Sequence, residues 1–380
     1  MPGDERSRAE AVLTCTGPKC LSGDLGLPMK IILANPRGFC AGVNMAIDVV
    51  DQLLDICPDE TIYVYHEIVH NRHVVARFKE QGVVFVESLD EVPNGTIVVF
   101  SAHGVSPAIR TEARERELVA VDATCPLVTK VHMQAIRYAK QGWQILLIGH
   151  ADHQEVVGTM GEAPEAIQIV ETPDDIPDLE ILDPEKVVYL TQTTLSTDDA
   201  NVIIDALRVA IPTIKSPPSD TICYATTNRQ HAVREIAPDC DLVLVVGSRN
   251  SSNSVRLTEI SKNVGTPAKL IDDVSEVEAA WFEDAETVMV TAGASAPDDL
   301  VNDLVIFLFE QHGGVVEQWD VDRETIEFGL PASLKNVMRE NGIDPSGRRI
   351  VLDRAGDLDA LLSRNGIDHR TVDLTIGRSE

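Results

Sequence analysis

The sequence predicts an α/β protein built from three small parallel-sheet α/β domains. Three observations lead there. From residue 30 to about 320, short apolar runs alternate with helix-sized stretches across turns, the pattern of right-handed βαβ units that build parallel sheets. The runs are continuously apolar, as strands buried on both faces are. About a dozen such runs in 380 residues are too many for one hydrophobic core, so the chain is expected to divide.

In chain order, residues 1–28 are polar and without periodicity, and read as a tail. The first strand is "KIILA" (30–34), followed by "TIYVY" (61–65), "TIVVF" (96–100), "LVAVDA" (118–123), "QILLI" (144–148) and "VVYLT" (187–191). "DLVLVV" (241–246), "AKLID" (268–272) and "TVMVTA" (287–292) complete the set. Helices are expected over 44–55, 127–141, 226–237 and 297–312. Residues 331–380 are charged, with modest helical periodicity over 357–364, and read as a C-terminal extension appended to the domains. Five strands run into polar or glycine-rich stretches, at 98–104, 146–155, 189–196, 244–254 and 290–297. Parallel sheets bind ligands at the carboxyl ends of their strands, so these five stretches point to one shared polar site.

Composition narrows the function. Net charge is −29, from 61 acidic and 32 basic residues, which excludes a general nucleic-acid binder because phosphates demand basic surface. A local pocket can still hold a small anion against the global sign. No apolar run approaches the ~18–20 residues of a membrane span, and "MPGDERSRAEAV" lacks the apolar core of a signal peptide. A cytoplasmic protein that binds no membrane is the expectation. The seven cysteines are an odd number without secretory context, which argues against a disulfide framework.

Three of those cysteines share a setting. Cys40 in "PRGFCAGV", Cys125 in "VDATCPLVTKV" and Cys223 in "DTICYATTNRQ" each stand between a strand-like and a helix-like segment. They are separated by 85 and 98 residues, spacings the size of a domain. A helix N-terminus favours thiolate, and thiolates ligate soft metals and iron–sulfur clusters. A [4Fe–4S] cluster on three cysteines leaves one iron open as a Lewis acid, whereas four cysteines leave none. Three unrelated buried cysteines would show the same spacing. Cys57 and Cys240 lack the context and read as packing; Cys15 and Cys20 lie in the tail.

The histidines need sorting. His66-Glu67-Ile68-Val69-His70 formally matches the zinc-peptidase H-E-x-x-H motif, which works only on a helix. Here it runs straight out of a strand, with β-branched residues at its centre and no third ligand at the required spacing. His70 therefore reads as a polar group at a strand end, as do His103 in "SAHGVSP" and His153 in "GHADHQE". His150, His153 and Glu155 have a spacing that could also hold a metal. Histidines beside Ser/Asn-rich loops supply short-range donors for a diphosphate, and "SRNSSNS" before a helix resembles an anion site at a helix N-terminus.

The longer motifs resemble a known family. "GFCAGV", "HEIVHN", "FSAHGVSP", "DATCPLV", "GHADHQEVVGTMGE", "LTQTTLS", "ICYATTNRQ", "NSSNS" and "VTAGASAP" are similar, in order, to the 4-hydroxy-3-methylbut-2-enyl diphosphate reductases, the last enzymes of the methylerythritol phosphate route to isoprenoids. The resemblance runs from about Met29 to Leu334 and leaves both tails outside. It implies three α/β domains in pseudo-threefold arrangement around one [4Fe–4S] cluster held by Cys40, Cys125 and Cys223. It implies domains at 42–125, 126–219 and 220–330, with 29–41 a strand segment joining the third. It implies a diphosphate held by His70, His103, Ser251, Ser252, Asn253 and Ser295, and His153, Glu155 and Thr193 near the allylic hydroxyl and its proton supply. The implied reaction consumes two electrons and two protons, releases water, and yields isopentenyl and dimethylallyl diphosphate. The implied partner is an electron donor such as ferredoxin or flavodoxin.

Two other readings compete. A hydro-lyase or synthase with a three-cysteine cluster shares the open iron but needs no external electrons. An iron–sulfur sensor or carrier needs no polar loops at five strand ends. Because the tail lacks core periodicity and precedes the resemblance, a chain begun at Met29 is expected to keep its iron and its turnover. A folded truncation that loses either would place the tail in the site.

Overall fold

The computed structural model describes residues 29–347, 358–367 and 369–375. The tail 1–28, with Cys15 and Cys20, lies outside them. Chain order introduces β1 (Lys30–Asn35), then β2 (Ile62–Tyr65), β3 (Val84–Val86), β4 (Ile97–Phe100) and β5 (Val119–Asp122). Next come β6 (Gln144–Ile148), β7 (Ile167–Val170) and β8 (Val187–Thr191). Last are β9 (Leu242–Val246), β10 (Ala268–Ile271), β11 (Thr287–Ala292), β12 (Val315–Asp320) and β13 (His369–Asp373). They form three sheets, with strand orders β3-β2-β4-β5, β7-β6-β8 and β10-β9-β11-β1-β12-β13. Every pairing within these sheets is parallel.

The apolar runs explain the sheets. β4, β8 and β9 are buried at every residue, as strands covered by helices on both faces must be. β1 sits between β11 and β12, with Ile31 opposite both Val288 and Val316, so the first strand of the described chain is central to the last sheet. Each sheet has its own apolar core: Leu53, Val64 and Phe78 for one, Leu146 and Leu207 for another, Leu33, Val290 and Leu308 for the third.

The structure departs from the sequence reading in three places. Residues 331–380 are not merely appended. The helix Ala332–Glu340 inserts Leu334, Val337 and Met338 into the core of the β2 sheet, their spacing putting them on one helix face. β13 then pairs with β12. β12 itself, "VVEQWD", is too polar to read as a central strand. Its buried Glu317 accepts from Lys30 Nζ at 3.2 Å, Trp319 Nε1 at 2.8 Å and Arg370 Nε at 2.9 Å, which satisfies a carboxylate there. Finally, no strand precedes Cys223. Residues 212–222 run as a loop with a single bridge, Val188 to Lys215, because Pro212, Pro217 and Pro218 cannot donate to a ladder.

Candidate active site

The three thiols meet because each stands immediately before a helix whose first turn is pinned to a different sheet end. Cys40 caps the helix Ala41–Ile56, and its N–H donates to the Ala294 carbonyl at 3.2 Å, beyond β11. Cys125 caps the helix Pro126–Lys140, and its N–H donates to Ala102 O at 3.0 Å, beyond β4. Cys223 caps the helix Tyr224–Ile236, and its N–H donates to Thr193 O at 3.0 Å, beyond β8. Backbone, not a preceding strand, therefore places Cys223. The thiols of Cys40 and Cys125 accept no capping hydrogen bond. That of Cys223 accepts from Thr226 N–H at 3.4 Å.

All the candidate residues line one cavity, about 750 Å³ of space between atoms with solvent at the mouth included. They are Cys40, Cys125, Cys223, His70, His103, His153, Glu155, Thr193, Ser251, Ser252, Asn253 and Ser295. Cys57 and Cys240 are not among them and pack into cores instead.

The cysteine end fits an iron–sulfur group. A Cβ built on Gly42 would lie 2.5 Å from Cys125 Sγ, and Cys40 Sγ is 3.9 Å away, so only glycine leaves the Cys125 sulfur room beside that of Cys40. Among the described residues no three His, Cys, Asp or Glu side chains close tightly enough to hold a single metal ion. The thiols stand around a space instead, as ligands to separate irons of one cluster do. Burial, first, and the neighbouring sulfurs push the Cys125 thiol well up and Cys223 up to about 11. Thiolates in such a place need a compensating cationic centre.

The opposite end is rich in donors. The rings of His70 and His103 stack at 4.0 Å between centroids, and His153 meets both edge-on at 5.6 and 5.9 Å. Burial, with the neighbouring imidazoles, holds His103 well below its ordinary range and His153 down to about 4. Both are therefore neutral near pH 7 before any anion arrives. His153 Nδ1 accepts from Glu155 N–H at 3.1 Å, which leaves its proton on Nε2. Asn253 is 4 % exposed, and neither its amide nitrogen nor its oxygen has a partner. A buried amide without partners is rare and marks a place built for a polar ligand. Ser251 caps the helix Ser252–Asn263, and Ser295 Oγ donates to the His70 carbonyl at 2.9 Å.

Between the two ends sits Glu155, 2 % exposed. Its carboxylate accepts from Thr193 N–H at 2.6 Å and Thr193 Oγ at 2.9 Å. Burial outweighs those bonds and lifts its pKa to about 7. Glu155 does not cap its helix; His153 does, which frees the carboxyl for the cavity.

Other sequence candidates dissolve. The 66–70 segment is not helical: His66 has φ +60° and bonds Glu87 at 2.6 Å. His150 turns away to Arg256 at 3.1 Å and Glu171 at 3.5 Å, so it forms no metal cluster with His153 and Glu155. Sequence reasoning missed Glu67, whose carboxylate takes His70 Nδ1 at 3.2 Å and Asn250 Nδ2 at 2.8 Å. Its match to a peptidase motif hid a second-sheet partner 183 residues away.

Comparison with known proteins agrees. A profile of the family described as LytB protein matches residues 31–309. A 4-hydroxy-3-methylbut-2-enyl diphosphate reductase of Acidothermus cellulolyticus is 50 % identical over 314 residues, 82 % of this chain and 92 % of that protein. The enzyme of that name from Idiomarina loihiensis is 54 % identical over 310 residues, 81 % of this chain and 98 % of its own. The solved E-1-hydroxy-2-methyl-but-2-enyl-4-diphosphate reductase of Plasmodium falciparum superposes with a TM-score of 0.80 at 38 % identity, covering 83 % of this chain and all of that one. Among the described residues no helix is long and apolar enough to cross a membrane. By family profile, by relatives at half identity and by fold, the chain belongs to the LytB protein family.

Proposed function

We propose that the chain reductively dehydroxylates (E)-4-hydroxy-3-methylbut-2-enyl diphosphate to isopentenyl and dimethylallyl diphosphate, on one [4Fe–4S] cluster held by Cys40, Cys125 and Cys223. One observation carries this reading: three thiols, a buried carboxyl and an unpartnered buried amide line a single cavity. Bound by three thiolates, such a cluster supplies the electrons and one open iron acting as a Lewis acid.

The chain's own residues do the rest. Asn253, Ser251, Ser252 and Ser295, with His70 and His103, hold the diphosphate at the donor-rich end. The Nε2 proton of His153 points the allylic hydroxyl toward the thiols. Glu155, whose burial lifts its pKa to about 7, gives its proton in its protonated form to Thr193 Oγ as the Thr193 hydroxyl proton passes to the departing oxygen. The C–O bond breaks and water leaves. Two electrons enter from a small donor protein such as ferredoxin or flavodoxin, a second proton reaches carbon, and one double bond remains. The burial of Glu155, Thr193, Ser251 and Asn253 keeps bulk water from these groups.

The test is anaerobic turnover with a chemical reductant. Product is expected only when reductant is present. Turnover without it would favour a hydro-lyase, and none with iron fully loaded would favour a sensor or carrier.

The diphosphate end has its own test. Asn253→Ala, His70→Ala and His103→Ala each remove one donor to a charged oxygen, worth ~1.5–3 kcal/mol, or about ten- to a hundredfold in substrate affinity. Their iron content is expected to stay at the wild-type level. Unchanged affinity in all three variants places the phosphates elsewhere. Because an anion stabilises imidazolium, binding is expected to take up protons at His103 and to tighten as pH falls below neutral, which calorimetry in buffers of different ionisation heat will read.

A further inference from the structure

We propose that Arg229 is a positioning residue that holds the Cys40 turn against the first turn of the Cys223 helix, and so sets the spacing of two of the three thiols. This rests on the reading of those thiols as ligands to an iron–sulfur group.

Arg229 is fully buried and does not line the cavity. It lies on the helix that Cys223 opens. Its Nε and Nη2 donate to the Gly38 carbonyl at 3.2 and 2.7 Å. Its Nη1 donates to Ala225 O at 3.0 Å and to Glu324 Oε1 at 2.9 Å. One guanidinium thus grips the carbonyl two residues before Cys40, the carbonyl two residues after Cys223, and a counter-ion. Asn228 Nδ2 holds the same Glu324 at 3.2 Å.

The Cys40 turn needs such a grip. Gly38 has φ +64°, and a Cβ there would lie 2.2 Å from Asp298 Oδ1, so the turn carries no side chain of its own at its apex. Only arginine offers donors in a fixed planar fork that reach two carbonyls and a carboxylate together; lysine is a single point charge. A buried guanidinium also requires its partner, which is the role of Glu324.

The test uses protein purified and loaded without oxygen: wild type, Arg229→Lys, Arg229→Gln, Glu324→Gln, Cys223→Ser, and Leu308→Ala as a core variant outside the cavity lining. Iron release to a ferrous chelator is timed well below every melting temperature, and the melting temperatures are measured alongside. Groups that orient metal ligands typically matter 10–100-fold in metal affinity, so both Arg229 variants are expected to release iron at least about tenfold faster than wild type. Glu324→Gln should fall between, and it carries the test if an Arg229 variant does not fold. Leu308→Ala should lose melting temperature without a matching gain in release. Release at the wild-type rate, or release that merely follows melting temperature across all variants, overturns the proposal. Tight iron retention by Cys223→Ser would instead overturn the ligand assignment itself.

Discussion

Cys125→Ser, purified without oxygen, is expected to fold, to hold little or no cluster iron, and to show no turnover. A serine hydroxyl at this helix start can accept from the same first-turn N–H groups that face the sulfur, of Leu127 and Val128, so the fold is expected to survive the change. The Cys125 N–H, which does hold the turn through Ala102, is untouched by the substitution. Serine is a hard oxygen donor of high pKa and a poor ligand for iron in a sulfide cluster. With two thiolates left, the group is no longer anchored at the sheet end that Ala102 defines. Cys40→Ser and Cys223→Ser should behave alike. Cys57→Ser and Cys240→Ser should keep both iron and turnover and lose only stability, because each puts a hydroxyl into apolar packing. Iron analysis and anaerobic assay decide. A fully loaded, active Cys125→Ser protein sinks the three-thiol assignment.

Glu155→Gln should keep the cluster and the diphosphate contacts but lose most of kcat. Expelling hydroxide from an allylic carbon is hard and expelling water is easier, so a proton must arrive as the bond breaks. Glu155 is the carboxyl in the cavity, joined to it by Thr193. General acids contribute about 10²–10⁴ in rate, and Gln keeps the shape while removing the proton. The wild-type rate should fall as pH rises through about 7, where the buried carboxyl ionises, and the variant should lack that limb. Stability gives an independent check. The folded pKa lies above the ordinary 4.5, so this group's contribution is full below about 4.5 and lost as pH rises through about 7. The cluster-free Gln variant should therefore melt higher than wild type at pH 8 and not at pH 4. If it turns over within a few-fold of wild type, the proton comes from another group.

Much of this was legible in the residues because the strongest signals are local. Continuous apolar runs such as "LVLVV" are β9, and polar stretches after β4, β6, β8, β9 and β11, from three different sheets, do line one cavity. A cysteine before a helix is also local, which is why all three thiols were visible. What stayed hidden depends on distant partners. β12 needs Lys30 and Arg370 to bury Glu317. The 332–340 helix needs the β2 sheet to receive Leu334. Cys223 owes its place to the Thr193 carbonyl and not to a strand. Arg229 reads as one more charge in "TTNRQ", yet it is fully buried against Gly38, 191 residues away. Periodicity reports which face is buried, not which carbonyl waits there.

The measurement closest to the central claim is the ⁵⁷Fe Mössbauer spectrum of the anaerobic, iron-enriched protein with and without the allylic diphosphate. Three thiols around one cluster predict two populations, three irons of one kind and one of another, with only the single iron shifting when substrate is added. Four equivalent irons that ignore the substrate, or isolated iron without cluster coupling, would contradict it.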